Sequence, residues 1–226
     1  MGINLGNMSS KSNNIGGGIT LPTPTPVDDS QKVSDGEGGL TLNLEKNQLL
    51  NLTKRNPGLK VIRAGIGWDV SYSGSDDFDL DVIALLLDKN NKLTDVSKVC
   101  YFNNDNTHGF SLSGDNKNGE GEGDDETISV DLASVPKDIE KVVFAVVIYE
   151  GKERKQNFGM VDNSYIRLLN GSANDKELCR FVLSEDSSLN TAVIFAEVYR
   201  NGSEWDFRTI GEGKNADING VIKLYC

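Results

Sequence analysis

The chain has 226 residues, with 34 Asp and Glu against 23 Lys and Arg, a formal charge of −11 and a sequence pI near 4.6. Such a balance excludes nucleic acid as a partner, because phosphate contacts draw on clustered Lys and Arg, and it opposes direct attraction to anionic lipid unless bound cations invert the local field. No run approaches the roughly 18 apolar residues of a membrane span, and the first residues (MGINLGNMSSKSNN) lack the charged and apolar regions of a secretory signal. A cytoplasmic chain is expected, with a peripheral membrane association as the second setting.

Residues 1–38 are rich in Gly, Ser, Asn and Pro and contain Pro22-Thr23-Pro24-Thr25-Pro26. The segment buries too little to fold alone and reads as a flexible tail, its proline part extended polyproline II. The alternative is an assembly arm that orders against a neighbouring subunit. From residue 39 to 226 the signals are those of one β-rich domain. Leu40–Leu44 alternates with period two, and Leu50-Asn51-Leu52 echoes it. Asn56-Pro57-Gly58 is a turn, followed by a strand over Val61–Ile66. Asp81–Asp88 reads as a strand buried on both faces, and Lys141–Tyr149, β-branched and aromatic, is the strongest strand of the chain. Strands at Ser164–Leu169, Leu178–Leu183, Thr191–Tyr199 and Trp205–Ile210 follow, the last two flanking Asn201-Gly202, a type I′ hairpin signal. Asp131–Val135 makes at most one helical turn, and Asp217–Tyr225 is a short terminal helix or a last strand. The pattern predicts an all-β, two-sheet sandwich with little helix. Cys100 and Cys179 lie in apolar runs and Cys226 ends the chain, so no disulfide framework is expected.

Two segments hold almost all the charge. Residues 69–81 carry five acids and no base, and residues 115–126 carry six acids and one lysine, so each contributes −5 of the total −11. Carboxylates about 4 Å apart repel by roughly 4 kcal/mol at an effective dielectric near 20. A divalent cation between them removes that cost. In Asp77-Phe78-Asp79-Leu80-Asp81 the acids alternate with apolar residues, which in an extended chain puts the three carboxylates on one side. In the second segment Gly119, Gly121 and Gly123 alternate with Glu120 and Glu122 before Asp124-Asp125-Glu126, and Asp115-Asn116 opens it. Calcium takes six to eight oxygens from carboxylates, carbonyls and water, and a loop of acids and glycines supplies them. Zinc lacks a Cys/His cluster, His108 being the single histidine, and Lys117 stands where an EF-hand places a ligand. A solvated acidic loop between strands is the plainer reading of the same residues.

At these residues the sequence resembles the TerD (tellurium-resistance) family. The likeness lies in Gly67-Trp68-Asp69, Asp77–Asp81, Gly114-Asp115-Asn116 and Gly123-Asp124-Asp125-Glu126, then Phe158-Gly159 with Tyr165-Ile166-Arg167, then Glu197-Val198-Tyr199-Arg200 with Trp205-Asp206-Phe207. The blocks stand in order from about Gly39 to Tyr225. The resemblance implies a calcium-binding β-sandwich with two neighbouring calcium ions held by the acidic loops. It also implies a non-catalytic role in tellurite, phage and colicin resistance or general stress response, with protein partners that include membrane-associated ones. Expected ligands are Asp77, Asp79, Asp81, Asp115, Asn116, Asp124, Asp125 and Glu126, with Glu120 and Glu122 behind them. No Gly-x-Ser-x-Gly motif occurs, and an acidic glycine loop repels phosphate, so no enzyme is expected. Three outputs stand: calcium-dependent partner docking, calcium-dependent attachment to a membrane surface, and self-assembly as a homo-oligomer through residues 1–38.

Overall fold

A computed structural model describes residues 21–27, 32–34, 40–43, 45–69, 77–120, 123–183 and 187–226. Two sheets pack face to face. In spatial order the first is β1 (Thr25–Pro26), β4 (Gln48–Asn51), β15 (Glu204–Lys214), β14 (Ala192–Asn201), β11 (Lys141–Ile148), β6 (Leu80–Leu87) and β7 (Val99–Cys100). The second is β2 (Lys32–Ser34), β3 (Leu40–Asn43), β13 (Lys176–Val182), β12 (Tyr165–Asn170), β5 (Val61–Gly67), β10 (Glu126–Asp131), β9 (Phe110–Ser113) and β8 (Asn106–Thr107). Pairing is antiparallel except for β1 on β4 and β3 on β13. The expected sandwich is the observed one.

The core follows from the period-two pattern. Val82, Ala84 and Leu86 of β6 face the interior between the sheets with Val142, Phe144 and Val146 of β11, against Ile62, Ala64 and Ile66 of β5 and Ile128 and Val130 of β10. The alternate residues Ile83, Leu85 and Leu87, with Val143, Ala145 and Val147, form a second apolar layer on the outer face of the first sheet. That layer is covered by Leu93, Tyr101, the C-terminal helix α2 (Ile218–Lys223) through Val221 and Ile222, and Tyr225 just after it. β6 and β11 are therefore apolar without interruption because both of their faces are covered.

Local chemistry explains where the elements end. Asp217 caps α2 by accepting from Gly220 N (2.7 Å), so the chain's end is a helix. Leu52 is not strand: Asn51 accepts from Lys54 N (2.7 Å) and starts a one-turn helix, α1, over Leu52–Arg55. Asp131–Val135 is a turn, held by Asp131 side-chain bonds to Ala133 N and Ser134 Oγ. The β14–β15 hairpin also turns one residue later than expected. Asn201 stays in the ladder opposite Glu204, so Gly202-Ser203 is the connection. Only the glycine has positive φ (64°), which is the type II′ rather than the I′ pattern.

Phe195 is fully buried and its ring lies 5.9 Å from that of Phe181 and 5.8 Å from that of Phe207, joining the two sheets. Truncating Phe195→Ala is expected to cost about 3–5 kcal/mol, seen as a drop in the urea midpoint with an unchanged slope.

Candidate metal centre

One end of the sandwich gathers the acids. Asp81 pairs with Val147 at the start of β6, and Glu126 pairs with Ile66 at the start of β10, so the two belong to different sheets at the same end. The segment leading into β6 is stitched down through its backbone. Trp68 Nε1 donates to Phe78 O (3.1 Å), Tyr149 N to Asp79 O (2.8 Å), and Gln156 Nε2 (3.3 Å) and Arg154 to Asp77 O. Phe78 and Leu80 are buried anchors. The carboxylates of this segment therefore rise from a fixed base.

Asp81, Asp115 and Glu126 converge: one oxygen from each lies within 4.8 Å of the others. The three come from a strand of each sheet and from the loop between β9 and β10. Glu126 is 1% exposed, and its Oε2 accepts from Val82 N across the sandwich (2.9 Å). Its other oxygen, with Asp81 Oδ2 and Asp79 Oδ1, is buried and accepts no hydrogen bond. Buried charge of one sign without partners is costly. Burial, reinforced by Asp115, pushes the Asp79 carboxyl up to about 6. Burial, then the charges of Asp79 and Asp115, pushes Asp81 up to about 8. Burial pushes Glu126 up to about 9, with Asp81, Asp115 and Asp79 adding to it against the Val82 N–H. Asp81 and Glu126, each with an orphaned oxygen, face the exposed Asp115, whose Oδ2 lies 3.6 Å from Lys117 Nζ, and the three are an all-oxygen donor set of the kind a hard cation takes.

The other expected ligands divide differently. Asp77 points its carboxylate to solvent and is tied down through its carbonyl. Asn116 knits the loop: Nδ2 donates to Asp125 Oδ1 (2.6 Å) and Glu120 O (3.0 Å), while Oδ1 accepts from Asn118 N and Gly119 N. Asp125 also accepts from Trp68 N (2.9 Å), and burial is the main cause that raises its pKa. Asp124 turns to the outer face of the second sheet, where it accepts from Arg167 Nε (2.7 Å) and Tyr165 Oη (3.1 Å). It reaches there because β5 carries Gly65 beneath it; a Cβ at that position would come within 2.1 Å of Asp124 Oδ2. Glu120 is exposed, and Glu122 lies outside the described residues.

Sequence reasoning missed the brace around Asp124. Arg167 also binds Glu177 (3.0 Å), Glu177 binds Arg180 (2.7 Å), and Arg180 stacks on the Tyr165 ring at 4.2 Å. Tyr165 and Arg167 share a face by alternation, but Glu177 and Arg180 are three residues apart and share it only because the β12–β13 register shifts at Leu168/Leu169, which the sequence pattern does not announce.

Because Asp81 and Glu126 are raised above the ordinary value near 4, the folded protein holds protons that the unfolded chain has released. In metal-free protein this contribution to stability is complete below about pH 4 and is lost as pH rises through about 8 and about 9. With a chelator present, the melting temperature is expected to fall between pH 5.5 and pH 9, and Glu126→Gln is expected to flatten that fall. Melting curves across this range with an unchanged midpoint in the wild-type chain contradict the burial of unpaired acids.

The TerD domain family matches residues 40–225. General stress protein 16U of Bacillus subtilis is 43% identical over 189 residues, covering 82% of this chain and 97% of that protein. An uncharacterized protein of the same organism, YceE, is 42% identical over 82% of this chain and 98% of its own length. Tellurium resistance protein TerD of Serratia marcescens is 38% identical over 82% of this chain and 97% of its length. The crystal structure of a TerD homologue, SCO6318 of Streptomyces coelicolor A3(2), superposes with a TM-score of 0.60 at 23% identity, over 74% of this chain and 96% of that one, and supports the fold. With a domain match across residues 40–225 and relatives of this identity, the chain belongs to the TerD family of tellurium-resistance and general stress proteins.

Proposed function

We propose that the chain is a calcium-binding, non-catalytic stress-response protein whose acidic end docks a protein partner when calcium is bound. The observation that carries this reading is the convergence of Asp81, Asp115 and Glu126, with buried oxygens of Asp79, Asp81 and Glu126 left without partners. These residues would hold the ion, with Asp79 beside them. Oxygen atoms bound to one calcium at about 2.4 Å stand at most about 5 Å apart, a span the trio fits. Bound calcium supplies positive charge where two sheets and a loop meet. The chain's own part is to hold the ligands: β6 fixes Asp81, the Val82 N–H aims Glu126, and Asn116 with Trp68 shapes the loop that presents Asp115. Neutralising the end lets a partner approach surfaces that would otherwise repel it. A second ion at Asp124 and Asp125 has less support, since Arg167 already pairs with Asp124.

No helix among the described residues is long and apolar enough to cross a membrane. The names of the relatives place the family in resistance and stress response, and a binding role accords with them.

Calorimetric titration of chelator-treated, full-length protein with calcium chloride is expected to give saturable heat. At a hundredfold excess over Kd the fold gains about 2.7 kcal/mol, measured as a rise in Tm. Asp81→Asn combined with Glu126→Gln is expected to abolish both signals. A wild-type chain that gives neither heat nor a Tm shift removes calcium from the reading.

A further inference from the structure

Three of the chain's five prolines lie within Pro22–Pro26, alternating with threonine. Its last two residues are strand β1, the outermost described strand of the first sheet, laid parallel on β4 with Thr25 opposite Gln48 and Pro26 opposite Leu49. Thr25 N donates to Asn47 O (2.9 Å) and Val27 N to Leu49 O (3.0 Å). The body also grips the segment's carbonyls: Asn47 Nδ2 donates to Thr23 O (2.7 Å), Arg55 Nη2 to Val27 O (3.1 Å), and Arg208 to Pro22 O. Val27 is buried in the main core, between the sheets. Main-chain ladder bonds plus one apolar anchor are how an extended peptide adds to a sheet edge.

The period of the prolines matters because a strand's amide groups alternate in direction. Thr25 and Val27 spend their N–H groups inward, on β4. The residues between and before them, Pro26 and Pro24, are the ones whose amides face outward, and proline has no N–H. The inner edge of β1 is thus complete, while its outer edge offers carbonyls and no donor from these two positions. A further strand cannot build the reciprocal ladder there. Without β1, the outermost described strand is β4, and the carbonyls of Leu49 and of Asn47 just before the strand lose the Val27 and Thr25 donors.

We propose that the edge of β4 is a strand-docking site whose partner in trans is a second copy of this chain, and that residues 21–27 occupy it in cis and close the first sheet against that pairing. Identical edges meet antiparallel about a two-fold axis, β4 on β4, an isologous contact. The device is independent of the acidic end. It also lies outside the family match, which begins at residue 40, and relatives aligned over 97–98% of their length match only 82% of this chain.

The test uses full-length protein and light scattering after size exclusion. Thr25→Pro with Val27→Asp removes one inward donor and places a charge in the apolar anchor site. The wild-type chain is expected at its monomer mass of 24.6 kDa, and the variant at twice that mass or more, rising with concentration. A synthetic peptide of residues 21–27 is expected to return the variant to monomer, and the same peptide carrying Thr25→Pro is not. A variant that keeps the monomer mass, or self-association that the peptide leaves untouched, overturns the proposal. A second variant, Pro24→Ala with Pro26→Ala, keeps every inward contact and restores two outward donors. It too is expected to gain mass; if it stays monomeric, the prolines do not close the edge. A wild-type chain already assembled through β4 overturns the proposal outright.

Discussion

Glu126 starts a strand of one sheet and accepts its hydrogen bond from the backbone of the other. That single bond fixes the spacing of the two sheets at the acidic end and decides the electrostatics there. With Oε2 spent on Val82 N, Oε1 is left in a dry place beside Asp81 and within reach of Asp115. Each carboxylate raises the proton affinity of the next, and burial does most of the raising. Protons relieve that repulsion at low pH, and a cation bound there would relieve it in the same way.

The opposite strategy operates a few residues away. Asp124, next but one to Glu126 in the chain, meets Arg167 and, through it, Glu177 and Arg180. Here the charges alternate in sign, and Tyr165 fills the space between the guanidinium groups. Adjacent acids in one sequence run serve different ends because Asp124 and Asp125 precede β10 in irregular backbone, which strand alternation does not govern, while Glu126 is the first residue of the strand. A run such as Asp124-Asp125-Glu126 is uniform as a string of letters and divided as soon as it enters a strand.

This division marks how far the sequence could be read. The sandwich and a β6 buried on both faces are legible from period and composition, and β11 is legible as a strand though not for its second covered face. β10 is absent from the expected strands, although Thr127-Ile128-Ser129-Val130 alternates and its burial follows suit, because the acidic, glycine-rich run before it has the composition of a loop. The choice among ten candidate ligands was also illegible, since it depends on cross-strand neighbours such as Gly65 and Arg167 that lie about 60 residues before and 40 after. Polyproline II was expected for Pro22–Pro26, and the structure makes the last two residues a strand. The two conformations differ little in φ and ψ, so the deciding factor is an edge to pair with, which composition does not reveal.

The same reasoning explains why the molecule tolerates a cluster of like charge at all. Residues that carry acids must be held by something that does not depend on them. β6 supplies it: Val82, Ala84 and Leu86 bind it to the core, and Ile83, Leu85 and Leu87 bind it to the outer layer under α2. Full burial of one such aliphatic side chain contributes about 1.5–3 kcal/mol, and a carboxylate pair about 4 Å apart at an effective dielectric near 20 costs roughly 4 kcal/mol. One or two residues of the strand thus offset one pair, and the strand has five large ones beyond its first two residues. A sandwich with a single apolar face on this strand would have about half that margin. The second apolar layer on the back of the sheet is thus part of what lets the front end carry its cluster of acids.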